Sequence, residues 1–597
     1  MSPPLDTPTA PLDGWTRRAW AWLDQLRQRE NQLALLLSLV IGALVGLVVV
    51  AFILLTGRLA ARMYPAGGAG YRRLLIPTLG ALGTGYLIHR YFPDARGSGI
   101  PQTKAAIFIN EGRISLKTVL GKFFNCSASL ASGIALGREG PSVQIGSGLA
   151  SVIGRRLGLN PEQVKALLPV GGSAALAAAF NTPIAAVLFS LEEIMGDLHA
   201  PVLGTVVLSS ATSWMVLHLL LGDEPLFHVA GYHLVNPVEF GAYAVLGVVG
   251  GLGSVAFVKL LLYLRRRFQA MPQRSVWWQP AIGGLTVGLM GLLLPEVLGV
   301  GYDIVEKALN GDLILRTVLL LAVLKIIASA TCYASGNAGG IFGPSLFIGA
   351  MLGTAVGQVA HMLLPAYTAG PGAYALVGMG AVFAGIIRTP LTSVIMIFEI
   401  TRDYTIIVPL MIANLISFFI SYRMQREPIY EALALQDGIH LPNAVSREQG
   451  GRYRVSEALQ PAALVLSPTM RIVDAWARVQ GQEFDSWPVV DRSGLRGVVA
   501  SADLAEAAAD GRELKFVDTL LEPTAPSLDG ETDLAIPHLH PDHGLGLALE
   551  RMGTSGRNVL PVVSRANVHQ LLGVVSLTDV LKVFGVDHLP SDESPHG

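Results

Sequence analysis

The chain has 597 residues, of which 51% are hydrophobic and only 15% are charged, a composition that indicates a membrane protein rather than an ordinary soluble one. Its formal net charge of -1 excludes a strongly basic nucleic-acid-binding protein, and no nucleic acid partner is expected. The two cysteines, Cys126 and Cys332, lie far apart in apolar segments, which predicts neither a disulfide framework nor a thiolate metal site.

The N-terminal segment at 1–30 lacks the short basic start and the small-residue cleavage site of a signal peptide. The run that follows, from 33 to 55, contains no charged residue and is long enough to cross the hydrocarbon core as a helix. Arginines precede it, and the positive-inside bias therefore predicts a cytoplasmic N-terminus. These arginines are Arg17, Arg18, Arg27 and Arg29.

Further apolar stretches predict a polytopic α-helical membrane domain at 31–430. They lie at 74–92, 117–136, 163–195, 201–221, 239–263, 279–300, 314–334, 341–364, 373–398 and 405–421. Glycines and prolines interrupt the apolar sequence at 97–101, 137–141 and 336–344. Irregular backbone at membrane depth is tolerated only inside protein or beside a polar cavity, so these interruptions predict a functional site.

Two motifs recur in the same order in the membrane domain. The Gly-Pro-Ser sequence at 140–142 returns at 343–345, and the Thr-Pro sequence at 182–183 returns at 389–390. The prolines are 203 residues apart, from 141 to 344, and 207 residues apart, from 183 to 390. Such duplication predicts two repeat halves, at 31–222 and 238–430, of the kind that is often inverted and places the substrate at the interface of the repeats.

After Tyr422 the sequence becomes polar and predicts a linker at 431–454, two soluble modules and a tail. The modules, at 455–512 and 513–588, share a pattern: 487–491 and 497–504 in the first match 560–564 and 573–580 in the second. Each copy predicts short strands of branched residues followed by a helix, which indicates an α/β pair. The tail is predicted at 589–597.

Three interrupted segments carry groups that suit a dehydrated anion, which needs hydrogen-bond donors and helix N-termini rather than a full countercharge. At 97–101 a hydroxyl, Ser98, lies between two glycines; the alternative is a tight loop. At 339–344 the amides of Ile341 and Phe342 begin a helix after two glycines; the alternative is a bend for close helix packing. At 137–141 the ionisable Arg138 and Glu139 stand at membrane depth, where a carboxylate is costly and therefore indicates function.

With these motifs, and with Tyr430 just after the last span, residues 30–435 resemble the CLC family of chloride channels and proton-coupled exchangers. The resemblance implies that Ser98, Tyr430 and the amides of Ile341 and Phe342 bind the central chloride. It implies that Glu139 is the gating glutamate, whose ionised carboxylate occupies an anion position and swings away when protonated. Arg138 is expected to form an ion pair or to orient the loop. The remaining motif residues are expected to support the loops: Gly97, Gly99, Pro101, Gly137, Gly140, Pro141, Gly340 and Pro344.

Glu193 has no counterpart in the other half, whereas Glu192 aligns with Glu399, nine residues after the Thr-Pro proline in both copies. Glu192 and Glu399 are therefore interpreted as paired structural carboxylates and Glu193 as an added one. In proton-coupled members of the family, a glutamate at a similar position accepts protons from the cytoplasm. The alternative is a solvated helix end near Asp197. By the same resemblance, Ser98 in place of a proline favours chloride over nitrate.

The soluble modules resemble tandem CBS domains, which pair and often bind adenine nucleotides. Ser576 and Asp579 match the Ser/Thr-x-x-Asp pattern that holds ribose and phosphate there, whereas the first copy has Ala500 three residues before Asp503. Nucleotide binding and a purely structural, dimerising role both remain open. The cluster at 538–543 (His538, His540, Asp542 and His543) is not expected to bind a metal, because no matching ligand set accompanies it.

Chloride–proton antiport, gated by Glu139 with Glu193 as internal proton-transfer carboxylate, is the function these observations favour. A passive voltage- or pH-gated chloride channel, regulated by the CBS pair, is the alternative. An intramembrane zinc protease is excluded because none of the 13 histidines precedes a glutamate, and a cation transporter would need acidic residues along its pathway. The resemblance implies a homodimer in the cell (inner) membrane, with cytoplasmic CBS domains and no required cofactor.

Overall fold

The computed structural model describes two compact units that divide after Leu441. The described residues are 30–65, 68–198, 202–223, 226–227, 235–439, 441, 453–482, 484–510, 512–521, 537–565 and 567–584. Most of the predicted N-terminal segment at 1–30 and the whole predicted tail at 589–597 lie outside these residues.

The first unit is built from α-helices, as the apolar sequence predicts. The first half contains α1 (Glu30–Met63), α2 (Arg72–Tyr91), α3 (Ile100–Phe108), α4 (Leu116–Ala131), α5 (Glu139–Arg156), α6 (Pro161–Phe180), α7 (Pro183–Phe189) and α8 (Leu203–Leu221). The second half contains α9 (Glu239–Gln269), α10 (Gln279–Leu293), α11 (Tyr302–Leu309), α12 (Leu315–Ala334), α13 (Phe342–Leu363), α14 (Pro371–Ile387), α15 (Pro390–Thr401), α16 (Ile407–Met424) and α17 (Ile429–Gln436). In the described part of the chain, seven helical segments are long and apolar enough to cross a membrane. The predicted boundary at 430 falls inside α17.

Several predicted stretches are divided where a proline begins a new helix. Pro183 and Pro390 are the first residues of α7 and α15, so the stretches at 163–195 and 373–398 each form two helices. A residue in the left-handed conformation ends the helix before each proline: Asn181, with φ 60°, and Arg388, with φ 69°. Proline lacks an amide hydrogen and fixes its φ angle, which suits the first turn of a helix and not its interior.

The two halves pack their central helices in the same way, at glycines. A Cβ atom added to Gly146 on α5 would collide with the carbonyl of Gly171 on α6. The equivalent pair in the other half is Gly349 on α13 and Gly378 on α14, where an added Cβ would collide in the same way. Helix backbones in membrane proteins approach closely where side chains are small. The duplicated sequence therefore encodes a duplicated helix pair.

Glu192 and Glu399 tie the halves together reciprocally. The carboxylate of Glu399 accepts hydrogen bonds from the amides of Ile184 and Ala185 at the start of α7, at 2.9 and 2.7 Å. The carboxylate of Glu192 accepts from the amide and the hydroxyl of Thr392 at the start of α15, at 2.9 and 2.6 Å. An anionic group at a helix N-terminus satisfies free amides and the helix dipole. The prediction of paired structural carboxylates is confirmed.

The C-terminal unit contains two similar α/β modules, as predicted. Strands β1 (Ser486–Asp491) and β2 (Gly494–Ala500) form an antiparallel pair followed by α20 (Ser501–Ala509), after α18 (Val455–Ala458) and α19 (Ile472–Val479). Helix α21 (Leu545–Ser555) precedes the second antiparallel pair, β3 (Val559–Val563) and β4 (Leu571–Ser576), and α22 (Leu577–Val583) follows it. Each pair has one register shift, between Val489 and Val490 and between Val562 and Val563.

Members of the histidine cluster in the second module make hydrogen bonds or ion pairs with other protein groups. His540 contacts the carbonyl oxygen of Val563 at 3.0 Å, and Asp542 forms an ion pair with Arg565 at 2.8 Å. Nowhere in the described ranges do three or more His, Cys, Asp or Glu side chains form a group that could hold a metal ion. Burial, together with nearby Arg551, His540 and Arg565, lowers the pKa of His543 to about 4.

Replacing either reciprocal glutamate should destabilise the membrane unit to a similar extent. Glu192→Gln and Glu399→Gln each remove the charge that caps a helix of the other half, which should cost about 1–2 kcal/mol. Thermal unfolding in detergent measures this loss. Glu162→Gln is the control, because its side chain is 83% exposed and its ion pair with Lys165 should contribute less than about 1 kcal/mol. A melting temperature unchanged in either test variant would contradict a capping role.

Acid should destabilise the second CBS module through His543. As the pH falls from about 6.5 towards 4, the unfolded chain binds a proton that the folded His543 does not, so folding stability decreases over this window. His543→Gln should reduce this loss, measured as hydrogen exchange of β3 in the full-length chain at pH 7 and pH 5, corrected for intrinsic exchange rates. His569→Gln leaves His543 in place and should retain the acid sensitivity. Equal pH dependence in wild type and His543→Gln would refute this assignment.

Candidate functional site

Two glycine-rich loops, one from each half, meet through a pair of backbone hydrogen bonds. The amide of Gly137 donates to the carbonyl of Gly340, and the amide of Gly340 donates to the carbonyl of Gly137, each at 2.7 Å. Helices α5 and α13 begin two residues after these glycines. The N-termini of the two helices therefore start side by side in the buried interior.

The loop that carries Ser98 packs against the start of α5. Gly97 and Gly99 have φ angles of 76° and 102°, which only glycine adopts readily, and Gly99 caps α3. Pro101 is the second residue of α3. Ser98 is fully buried, and a Cβ atom added to Gly140 would lie 2.5 Å from its Oγ atom. The glycines thus let this hydroxyl approach the start of α5.

Tyr430, on α17, lies beside Ser98 at the same buried position. The two hydroxyls are neighbours, and neither makes a hydrogen bond of good geometry with a described residue, although both are almost completely buried. A buried polar group without a partner is costly, so two such donors next to each other indicate a place for a bound ligand.

The start of α13 adds backbone donors. Ile341 is the residue before the helix and Phe342 is its first residue, and no side chain caps this N-terminus. The ring of Phe342 contacts Phe180, Phe189 and Phe383, with centroids 4.9, 5.4 and 4.4 Å away. This aromatic packing fixes the helix start, while its first amides stay available to an anion. Pro344 is in the first turn, as Pro141 is in α5.

Glu139 is the first residue of α5 and is completely buried. Its Oε2 atom lies near the start of α13, 3.5 Å from where a Cβ atom on Gly343 would be, and has no hydrogen-bond partner in the described structure. Its Oε1 atom accepts a hydrogen bond from the hydroxyl of Tyr302. The carboxylate therefore occupies a position at a helix N-terminus that would suit an anion.

Arg138 does not form an ion pair with any residue that the structure describes. Its Nη2 atom donates to the carbonyl of Ala179 at 3.3 Å, and its guanidinium lies over the ring of Tyr302, 5.5 Å from the centroid. Of the two roles expected for it, these contacts fit the orientation of the loop.

A second copy of the serine loop, which was not predicted from the sequence, lies in the second half. Gly299 and Gly301, with φ angles of 64° and 84°, match Gly97 and Gly99, which precede them by 202 residues. Gly301 caps α11, whose first residue is Tyr302. The signal was the Gly-x-Gly spacing alone, because valine and tyrosine replace the serine and isoleucine of the first copy.

A buried lysine holds each of these two loops. Lys122 donates to the carbonyls of Ala95 and Gly97, at 3.0 and 2.6 Å. Lys325 donates to the carbonyls of Val297 and Gly299, at 3.1 and 2.7 Å. These lysines are 203 residues apart, from 122 to 325, so they belong to the duplication.

Glu193 lies in a π-helical segment, Ser190–Met195, that continues α7. From Pro183 to the left-handed cap Gly196 is 13 residues, whereas from Pro390 to the equivalent cap Arg402 is 12. The first copy thus has one extra residue, which a π-type turn accommodates, and such turns often occur at functional sites. The position of the added residue agrees with its interpretation as Glu193.

The environment of Glu193 is buried and contains a partner that sequence reasoning missed. Only 6% of Glu193 is exposed, so it is not a solvated helix end. Lys104 on α3 forms an ion pair with it at 2.8 Å and lies 3.9 Å from Glu431. The side chain of Lys104 is 3% exposed, which makes this a buried ion pair.

The predicted nucleotide-binding residues lie at the start of the module helices. Ser576 and Asp579 form a capping box: the Ser576 hydroxyl donates to Asp579 at 2.5 Å and accepts from the Asp579 amide at 3.1 Å. Asp503 lies in the first turn of α20, where Ser501 accepts a hydrogen bond from the indole of Trp487 at 3.0 Å. The Ser/Thr-x-x-Asp pattern is therefore complete in the second module and incomplete in the first.

Comparisons with known proteins agree with this architecture. The chain is 32% identical to the H(+)/Cl(-) exchange transporter ClcA of Vibrio campbellii over 354 residues, 58% of this chain and 76% of that protein. It is 31% identical to the ClcA exchange transporter of Salmonella arizonae over 446 residues, 72% of this chain and 94% of that protein. It is also 33% identical to a putative chloride channel protein, ClcB-like, of Ralstonia nicotianae, over 63% of this chain and 89% of that protein.

Solved structures and family models extend these similarities. A slow cyanobacterial Cl-/H+ antiporter matches with a TM-score of 0.63 and 25% identity over 68% of this chain and 97% of that chain. A eukaryotic CLC transporter, 19% identical, shares the fold with a TM-score of 0.63 over 92% of this chain and 98% of that chain. The CBS domain model matches 455–510 and 533–585, and the voltage gated chloride channel model matches 80–422. The chain therefore belongs to the voltage-gated chloride channel (CLC) family and carries a pair of CBS domains.

Proposed function

We propose that this protein is a secondary transporter that exchanges chloride for protons across a membrane. The observation that carries the proposal is the placement of two buried carboxylates, Glu139 and Glu193, around the free hydroxyls of Ser98 and Tyr430. Glu431, next to Tyr430 in the sequence, lies 3.9 Å from the Lys104 ammonium group that pairs with Glu193. The names of the similar exchange transporters support the same function.

Chloride binding would use neutral donors. The hydroxyls of Ser98 and Tyr430 and the amides of Ile341 and Phe342 replace the water shell of the ion without a fixed positive charge. Neutral donors bind an anion strongly enough for dehydration and weakly enough for release. The glycines of the neighbouring loops leave space for the ion and let the backbone amides point towards it.

Glu139 would couple the two ions because its ionised carboxylate and a chloride compete for the same helix N-terminus. Protonation removes the charge that favours this position, so the side chain leaves and chloride replaces it. Return of the carboxylate displaces chloride and releases the proton. Coupling follows from this mutual exclusion.

Glu193 would accept protons from the other side of the pathway. Among the described residues Glu193 forms an ion pair with Lys104, and a change of charge on such a buried carboxylate has a large electrostatic effect, which suits a proton-transfer site. Lys104 would stabilise the ionised form between transfers. Glu192, one residue away, is already used as a helix cap and lacks this freedom.

The proposed setting is the cell (inner) membrane, with the N-terminus and both CBS domains in the cytoplasm. The arginines before α1 support this orientation through the positive-inside bias. A homodimer with one pathway in each subunit is proposed on the basis of family membership.

Liposome flux measurements test the exchange. With purified protein and a chloride gradient alone, proton movement should accompany chloride, because protonated Glu139 and chloride alternate. Glu139→Gln and Glu193→Gln should abolish proton movement while chloride flux persists. Glu192→Gln is the matched control and should keep the coupling, since its carboxylate only caps α15.

Chloride flux without proton movement in the wild-type protein would instead select a passive channel, the function that the name of the Ralstonia nicotianae relative indicates. Retained coupling in Glu139→Gln would refute the assignment of the gate.

We also propose that the CBS pair binds an adenine nucleotide through the second module. Titration calorimetry of ATP and AMP into the full-length protein should show binding, and Asp579→Asn should weaken it at least tenfold by removing a charged acceptor for the ribose hydroxyls. Asp503→Asn should have a smaller effect, because Ala500 leaves its motif incomplete. Absence of heat with both nucleotides would favour a structural role for the pair.

A further inference from the structure

Tyr302 is the only described residue that hydrogen-bonds the Glu139 carboxylate through its side chain. Its hydroxyl donates to Oε1, whereas Oε2 has no hydrogen-bond partner among the described residues. The carboxylate is therefore held in its present position from one side only.

The ring of Tyr302 is fixed by contacts that do not involve its hydroxyl. Phe227, which is 2% exposed, packs edge-on against it with centroids 5.6 Å apart. The guanidinium of Arg138 lies over the ring, 5.5 Å from the centroid. Behind the ring, the left-handed Gly301 and the Lys325-bound carbonyl of Gly299 fix the backbone. The hydroxyl is thus preorganised as a donor.

A hydroxyl donates a stronger hydrogen bond to an ionised carboxylate than to a neutral carboxyl group. The contact from Tyr302 therefore favours the ionised state of Glu139 in which the side chain stays in the pathway. Protonation weakens this contact at the same time as it removes the attraction of the helix N-terminus. Both effects release the side chain together.

We propose that Tyr302 is a positioning residue that holds ionised Glu139 in the chloride pathway and thereby sets the pH at which the gate opens. The proposal rests on the proposed function of Glu139 as the gate. Under this proposal the second repeat half contributes to gating, because Tyr302 follows the loop that repeats the serine loop of the first half.

Tyr302→Phe tests this role, because it removes one oxygen and keeps the ring that contacts Phe227 and Arg138. Chloride flux in liposomes should rise about tenfold at neutral pH, and the midpoint of the flux–pH curve should move upwards by about one pH unit. Proton coupling should be retained, since Glu139 is present. Among the described residues, the ionisable groups near Glu139 include its neighbour Arg138 together with Cys126 and Tyr430, and all three are unchanged in the variant.

The Glu139→Gln background separates this role from a general packing effect. There, adding Tyr302→Phe should change neither flux nor its pH dependence, because no ionised carboxylate remains to be held. Tyr374→Phe is the matched control: it removes a buried tyrosine hydroxyl from the same half, on a ring that stacks on Tyr243, and should not move the midpoint.

Two results would overturn the proposal. One is an equal effect of Tyr302→Phe in both backgrounds, which would mark a packing role. The other is an unchanged flux–pH curve in a Tyr302→Phe protein whose melting temperature equals that of wild type. Failure of Glu139→Gln to uncouple protons would instead refute the gate itself, so the two failures are distinguishable. If Tyr302→Phe does not fold, Tyr302→Trp keeps an aromatic ring and a donor in altered geometry, and its midpoint should also shift upwards.

Discussion

The two backbone hydrogen bonds between Gly137 and Gly340 are the constraint on which the site depends. They bring one loop from each half into contact, so that the N-termini of α5 and α13 open towards the same buried volume. Side chains at these glycines would separate the loops, since a Cβ atom on Gly340 would meet the amide of Gly140 at 3.2 Å. The glycines are thus required by the close approach of two backbones, and the anion position follows from that approach.

Two buried cations beside the glycine loops are satisfied by protein groups. Lys122 and Lys325 are buried, yet each ammonium group binds two loop carbonyls. The negative ends of these carbonyls point at a lysine and not at the pathway. Satisfied in this way, the lysines fix loop geometry without adding a countercharge that would retain chloride. The same logic applies to Glu192 and Glu399, which satisfy helix amides at the contact between the halves.

Much of this arrangement could be predicted from the sequence because it depends on local backbone chemistry. Glycine and proline spacing identified the loops of Ser98, Glu139 and Phe342, and the duplication identified Glu192 with Glu399. Contacts between segments could not be predicted: the pairing of Lys104 with Glu193 depends on how α3 meets the π-helical segment. Tyr302 was missed because only two glycines of its loop survive in the repeat, and helix boundaries moved wherever a proline divided an apolar run.

The single additional residue in the π-helical segment has a consequence for the origin of directionality. A carrier made of two equivalent inverted copies would present chemically identical mouths to the two sides of a membrane. The additional residue in one copy leaves the structural glutamate and its cap in place, while that copy alone carries a second carboxylate, Glu193. Together with Glu139, whose counterpart in the second copy is Phe342, this carboxylate makes the two copies chemically unequal.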